Sequence, residues 1–260
     1  MIKNIALIPS INTFYNNQIF ETKFENDGSE PFAILKQKLS LKKVTFNTID
    51  FFKNYKEIDL LIVLRHENNI NIIFDVINKN KKVKILYIST EEISVAPTQK
   101  KELLNFGLFD RILTWRDNEV DLNLFFKYHY MTPQRSFVKR SESQRRLVCI
   151  INAFKKNYYN DRNNIYSERI KVISFFEDKK NFSLYGHNWH NYDSNIKNYR
   201  GSVSDKINTY LNYDFSFIFE NSNSELGGIS EKIWDSMAAG CIPIYFGAPN
   251  VSEYIPDECY

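Results

Sequence analysis

Apolar residues in this chain fall into two alternating patterns. Short, mainly apolar runs at 4–9, 58–64, 83–88 and 109–115 give way to polar residues, as strands covered on both faces do. Between them, 31–41, 71–78 and 98–106 carry apolar side chains at helical spacing. Strands alternating with helices predict an α/β fold built on a parallel, doubly wound sheet. The polar stretch 22–31, with Asp27-Gly28, reads as a loop. Residues 131–142 contain Pro133 and the charges Arg135, Lys139, Arg140 and Glu142 without any apolar period, and read as a linker. The expected lobes are therefore 1–132 and 145–260.

The second lobe repeats the alternation: a strand at 147–151, a helix at 163–177 with Arg169 in its middle, a strand at 182–185 ending at Gly186, and a helix at 205–211. Residues 215–219 form an aromatic strand that delivers Glu220 and Asn221 at its carboxyl end. Gly227-Gly228 breaks the chain, and Ile229, Ile233, Trp234, Met237 and Ala238 then mark one helix face, stopped by Gly240. The run 241–246 is a further strand, and Pro243 suits an edge position because it cannot donate to a ladder.

This strand, turn, helix, strand unit puts Glu231 and Lys232 in the first helical turn. There the unpaired amide groups and the helix dipole favour a phosphate or pyrophosphate. Lys232 adds a full positive charge, so its removal is expected to weaken nucleotide binding and leave the fold intact. Glu231 suits ribose hydroxyls, which donate to a carboxylate. The competing reading makes both residues ordinary helix surface.

Composition adds bounds. The 260 residues carry a net charge of +3, too balanced for a strong nucleic-acid or membrane field. The three cysteines, an odd number, fit a reducing compartment, so a cytoplasmic location is expected. No run approaches the roughly 20 apolar residues of a membrane span, which leaves only peripheral membrane association open. His187 and His190 flank Trp189 without a Cys or carboxylate at ligand spacing, so no metal site is expected there. His66, at a strand end, is a polar residue that could touch an acceptor sugar.

The blocks Phe-Ile-Phe-Glu-Asn-Ser, Ser-Glu-Lys-Ile and Ile-Pro-Ile-Tyr-Phe-Gly-Ala-Pro-Asn together resemble the donor-binding signature of the family 10 fucosyltransferases. The resemblance is dense over 145–256 and thin before it. It implies a GT-B enzyme of two Rossmann-like lobes facing a central cleft, which moves L-fucose from GDP-fucose with inversion to a hydroxyl of a GlcNAc- or glucose-containing glycan. The implied setting is a bacterial surface polysaccharide or lipopolysaccharide, with an oligosaccharide or glycolipid as acceptor and no nucleic-acid partner. The closing helix that such proteins return to the first lobe is expected beyond Tyr260.

By the same resemblance Arg169, Asn221, Glu231 and Lys232 are donor-binding, with Arg169 on the pyrophosphate. In the first lobe, Leu-Tyr-Ile-Ser-Thr-Glu-Glu and Gly-Leu-Phe-Asp match the blocks that carry a catalytic glutamate, here Glu91. If the strand continues, successive side chains alternate, so Glu91 would face the reacting groups and Glu92 would not. No Asp-x-Asp pair occurs, so no obligatory cofactor or divalent metal is expected. The resemblance breaks at one point: family members of bacterial type commonly carry Tyr where this chain has Gly228. Two alternatives follow, another GDP-deoxyhexose as donor, or a non-catalytic nucleotide-sugar or glycan-binding protein.

Overall fold

The computed structural model describes residues 2–21, 29–93, 95–130, 136–139, 145–155 and 165–260. The chain divides into two compact units, Met1–Pro133 and Gln134–Tyr260.

Unit 1 contains β1 (Asn4–Ile8), α1 (Glu30–Leu41), β2 (Thr45–Thr48), β3 (Leu60–Val63), α2 (Ile70–Lys79), β4 (Lys84–Ile88), α3 (Lys101–Leu104), β5 (Arg111–Thr114) and β6 (Phe125–Lys127). Its strands form one sheet in the order β2-β1-β3-β4-β5-β6, with every pairing parallel. Period-two alternation divides the apolar side chains between the two faces. Ala6, Ile8, Leu61 and Val63 join Ile73 and Val76 of α2 in one cluster, while Ile5, Leu7 and Ile62 join Phe32 of α1 in another. Both faces are thus covered, which is why these strands read as unbroken apolar runs.

Unit 2 contains β7 (Arg146–Ile151), α4 (Tyr166–Phe176), β8 (Phe182–Tyr185), α5 (Lys206–Tyr210), β9 (Tyr213–Phe219), α6 (Glu231–Ala238) and β10 (Ile242–Phe246). The sheet order is β10-β9-β7-β8, again all parallel. Pro243 lies on the edge strand β10. Cys149 and Cys241 are buried free thiols in one cluster with Ile218, Ile233 and Ala239, and burial pushes the Cys149 thiol well above its ordinary value.

Several expectations change. β2 and β6 were not anticipated, because Thr-Phe-Asn-Thr and Phe-Phe-Lys are too short and too polar to stand out; both are edge strands. The helix expected over 98–106 shrinks to α3, preceded by a single 3-10 turn at Pro97–Gln99. Lys100 between them is extended, and Gly107 at φ +79 turns the chain away after α3. Of the loop expected at 22–31, residues 22–28 lie outside the described residues, while Glu30 and Pro31 already belong to α1. Of the linker at 131–142, only 136–139 are described, and they are irregular. Residues 163 and 164, the first two of the helix expected over 163–177, also lie outside the described residues, and α4 begins at Tyr166.

Candidate functional site

The strand order of unit 2 places a topological switch point between β7 and β9, since the chain winds to one side through β8 and to the other through β9 and β10. Ligands of doubly wound sheets bind beyond the carboxyl ends of the strands at such a point. The chain leaving β9 is Glu220-Asn221, and the helix that follows is α6.

Glu220 is the hub of this crevice. Its side chain has no solvent exposure, and its carboxylate accepts from the Ser230 amide at 2.8 Å, the Ser230 hydroxyl at 2.7 Å and the Lys232 ammonium at 2.9 Å. Ser230 is the N-cap of α6, so one buried carboxylate ties strand end, helix cap and first-turn lysine together. The absence of a side chain at Gly247 makes room: a Cβ there would stand 2.5 Å from Glu220 Cγ.

Lys232 also donates to Ser230 Oγ at 2.8 Å, so two of its three N–H bonds are satisfied internally. Burial lowers its pKa, but the Glu220 and Glu231 carboxylates outweigh that and hold the ammonium above its ordinary range. Lys232 is therefore half of a buried ion pair rather than ordinary helix surface, with one donor left for a ligand. Because its removal would strand the Glu220 charge, the expected Lys232→Ala change with an intact fold gives way to a destabilised one.

Arg169 sits in the first turn of α4 and is only 2% exposed, which removes the surface reading for it as well. Its Nη2 donates to the Glu220 carbonyl at 2.7 Å and to Asn221 Oδ1 at 3.3 Å, and its guanidinium lies 3.9 Å from the centre of the Tyr166 ring. Tyr166 donates its hydroxyl to the same Asn221 oxygen at 3.0 Å, and the Ile165 amide donates to the Asn221 carbonyl. Arg169 Nε is buried with no hydrogen-bond partner among the described residues. Glu231 pairs with Lys206 at 3.1 Å. Burial raises its pKa, but Lys232 and Lys206 prevail and bring it from 4.5 down to about 2. Arg169, Asn221 and Lys232 are thus joined through Glu220, and Glu231 stands beside them on α6. Glu220 itself carried no assigned role in the sequence reading; its position at a buried strand end, ahead of Asn221, was the available signal.

Gly228 closes a turn through Leu226 and Gly227, its amide donating to the Glu225 carbonyl at 3.3 Å; Gly227 has φ +75 and its amide donates to Asn250 Oδ1 at 2.8 Å. The Tyr245 hydroxyl from β10 approaches the Gly228 carbonyl at 3.5 Å and accepts from the Ala248 amide at 2.9 Å.

In unit 1, β4 ends at Ile88 and the chain leaves the sheet, so strand alternation does not extend to Glu91 and Glu92. Glu92 is buried, and Glu91 is half-buried. The loop carrying Glu91 is held from two sides. Gln99 Oε1 accepts from the Ser89 hydroxyl at 2.8 Å and from the amides of Thr90 at 3.1 Å and Glu91 at 3.2 Å. The buried Arg116 donates to the Glu91 carbonyl and to Ser89 Oγ, while Tyr130 donates its hydroxyl to the Thr90 carbonyl at 2.9 Å.

Among the described residues no group of three His, Cys, Asp or Glu is arranged to hold a metal, and no helix is long and apolar enough to cross a membrane. His187 precedes the 3-10 turn Trp189–Asn191 and His190 lies within it, while Trp189 donates to the Asn152 carbonyl at 2.6 Å.

Residues 142–260 match the model of glycosyltransferase family 10 (fucosyltransferase), C-terminal part. A putative fucosyltransferase-like protein of Arabidopsis thaliana is 40% identical over 60 residues, 23% of this chain and 11% of that protein. GDP-fucose protein O-fucosyltransferase 3 of Xenopus laevis is 44% identical over 46 residues, 18% of this chain and 10% of that protein. The matched stretches thus span about a tenth of the length of these relatives. Among solved structures, the lipopolysaccharide outer core galactosyltransferase WaaB, in its apo form, aligns with a TM-score of 0.53 at 11% identity, covering 96% of this chain and 83% of that one. That likeness shows the fold, which is GT-B.

Proposed function

We propose, for a chain whose residues 142–260 match the model of the family 10 fucosyltransferase C-terminal part, an inverting glycosyltransferase that moves L-fucose from GDP-fucose to a hydroxyl of a GlcNAc- or glucose-containing glycan. The observation that carries this reading is the Arg169, Glu220, Lys232 cluster at the switch point of unit 2, gathered on the N-terminus of α6. Arg169 and the remaining N–H of Lys232 meet the diphosphate, and the helix terminus adds its partial positive charge. Asn221 and Glu231 orient the nucleoside, with Glu231 accepting from ribose hydroxyls.

The acceptor oxygen attacks the anomeric carbon as the bond to the diphosphate breaks. Glu91 takes the acceptor proton, and the departing GDP carries away the bonding electrons into a site already lined with cations. No residue set in this scheme calls for a divalent metal on the diphosphate. The bacterial surface glycan and the cytoplasmic setting rest on the signature resemblance and on cysteine usage.

A second reading keeps the site and changes the sugar: Gly228 stands where the family has Tyr, so the contacts of that Tyr are missing, which favours a different GDP-deoxyhexose. A third is a binding protein without turnover. A melting-temperature screen with GDP, UDP, GDP-fucose and GDP-mannose separates them, because a ligand that binds the folded state raises its melting point by mass action. GDP should stabilise strongly and UDP weakly. Equal shifts from both, or none, would remove the proposal. A shift without acceptor-dependent release of GDP would leave the binding protein.

A further inference from the structure

The segment that carries Glu91 has left β4 and belongs to no ladder, yet every backbone N–H and C=O of Ser89, Thr90 and Glu91 has a hydrogen-bond partner. The Ser89 amide donates to the Leu113 carbonyl at 2.9 Å, and all the other groups meet side chains. Gln99 Oε1 accepts from the Thr90 and Glu91 amides. Tyr128 donates to the Ser89 carbonyl, Tyr130 to the Thr90 carbonyl and Arg116 to the Glu91 carbonyl. Arg116 follows β5, the neighbour of β4, and the two tyrosines follow β6, so these donors emerge beside the loop they hold.

A peptide group is a rigid plane, so the direction of a side chain's first bond is set by the φ and ψ that join two planes. The plane on the amino side of Glu91 is held at both ends, its N–H by Gln99 and its C=O by Tyr130. The plane on the carboxyl side is held by Arg116. The Glu91 backbone is thereby fixed, and the carboxylate keeps only the freedom of its own side chain. Holding a reacting group in place before the substrate arrives lowers the barrier, and a displacement of about 1 Å can cost a hundredfold in rate.

Arg116 is the member of this set that stability explains least. It is 1% exposed, and its Nη1 lies 3.4 Å from Oε2 of the buried Glu119, which also accepts from the Thr114 hydroxyl at 2.7 Å. The attraction within a buried ion pair is offset by the cost of taking two charges out of water, and apolar side chains of similar volume commonly stabilise a core as well or better. No apolar side chain could donate to the Glu91 carbonyl. The guanidinium fork reaches it with Nη2 while Nη1 donates to Ser89 Oγ at 2.9 Å, and its central carbon stands 4.5 Å from the centre of the Trp115 ring.

We propose that Arg116, together with Gln99 and Tyr130, is a positioning residue for the transfer: it fixes the backbone of Glu91 and so aims the carboxylate, without touching substrate. This role rests on the reading of Glu91 as the base, whereas the pinned loop does not.

The test joins turnover of GDP-fucose and N-acetyllactosamine by the full chain with hydrogen exchange read by NMR. Arg116→Lys keeps the charge and loses the fork. Tyr130→Phe removes one hydroxyl and keeps the ring that packs 6.1 Å from Trp115, so it carries the comparison if the arginine variant fails to fold. Each should lower kcat about tenfold, the rate equivalent of one hydrogen bond, with acceptor KM and the melting shift produced by GDP at parental values. In a Glu91→Gln background neither change should lower the residual kcat further, because no base is left to aim; losses that multiply overturn the positioning role. The Thr90 and Glu91 amides should exchange slowly in the parent and about tenfold faster in the variants. Fast exchange in the parent overturns the pinned loop whatever Glu91 does. If the parent transfers no sugar, or Glu91→Gln turns over like the parent, the base reading fails and the positioning role with it, even where exchange shows the loop held.

Discussion

Glu220 and Lys232 form the pair on which the proposed donor site turns, and the cost of breaking it depends on which partner is removed. Lys232→Ala leaves a fully buried carboxylate without its cation, which should cost about 3 kcal/mol of stability in a urea titration. The double change Glu220→Gln with Lys232→Met removes both charges and should recover most of that loss. GDP affinity should not recover with it: without the ammonium, binding should stay weaker by about 1.5 to 3 kcal/mol. A double variant that binds GDP like the parent would assign Lys232 to structure alone. At Glu91, Gln keeps size and hydrogen bonding but removes the proposed base, so kcat should fall roughly a hundredfold or more with GDP affinity unchanged. Glu92→Gln acts on a buried side chain and should show in melting temperature before it shows in rate. Near-parental turnover in Glu91→Gln would place the base elsewhere.

Elements explain which parts could be read from the chain alone. Strand β9 and helix α6 were legible because apolar spacing, the Gly227-Gly228 break and the Gly240 stop agree. In the structure Gly240, at φ +63, donates to Met237 and the Cys241 amide reaches the Ser236 carbonyl, a paired closure that a left-handed residue makes possible. Arg169 was legible in position but not in burial, since an arginine in a helix gives no local sign that its guanidinium will be drawn under Asn221. β2 and β6 were illegible because edge strands of a few residues borrow their order from neighbours already paired. The 3-10 turn before α3 was missed because Gln99 is drawn inward by contacts to Ser89, Thr90 and Glu91, all distant enough in sequence to escape a periodicity argument. At the start of α6, the depressed pKa of Glu231 has a sign that can be checked. Its folded value of about 2 lies below the ordinary 4.5, so its contribution is complete above pH 4.5 and disappears as pH falls towards 2. Melting temperature followed over that range should decline less steeply in Glu231→Gln than in the parent; equal slopes would show that Lys206 and Lys232 do not hold this carboxylate.

At the scale of the molecule, each unit carries its own parallel sheet and its own switch point. The structure also supplies a means of timing events in unit 2. Cys149 and Cys241 are sealed in its core, while Cys259 is partly open to solvent. A thiol reagent should therefore consume one equivalent of the native protein quickly and two more only as the core of unit 2 opens. The slow phase is a clock for that opening, because a buried thiol is modified only from states in which it has escaped. If GDP binds the proposed site between strand end and helix terminus in the same unit, it should slow the clock without touching the fast phase, and three equally fast equivalents would show that the core admits reagent without opening at all.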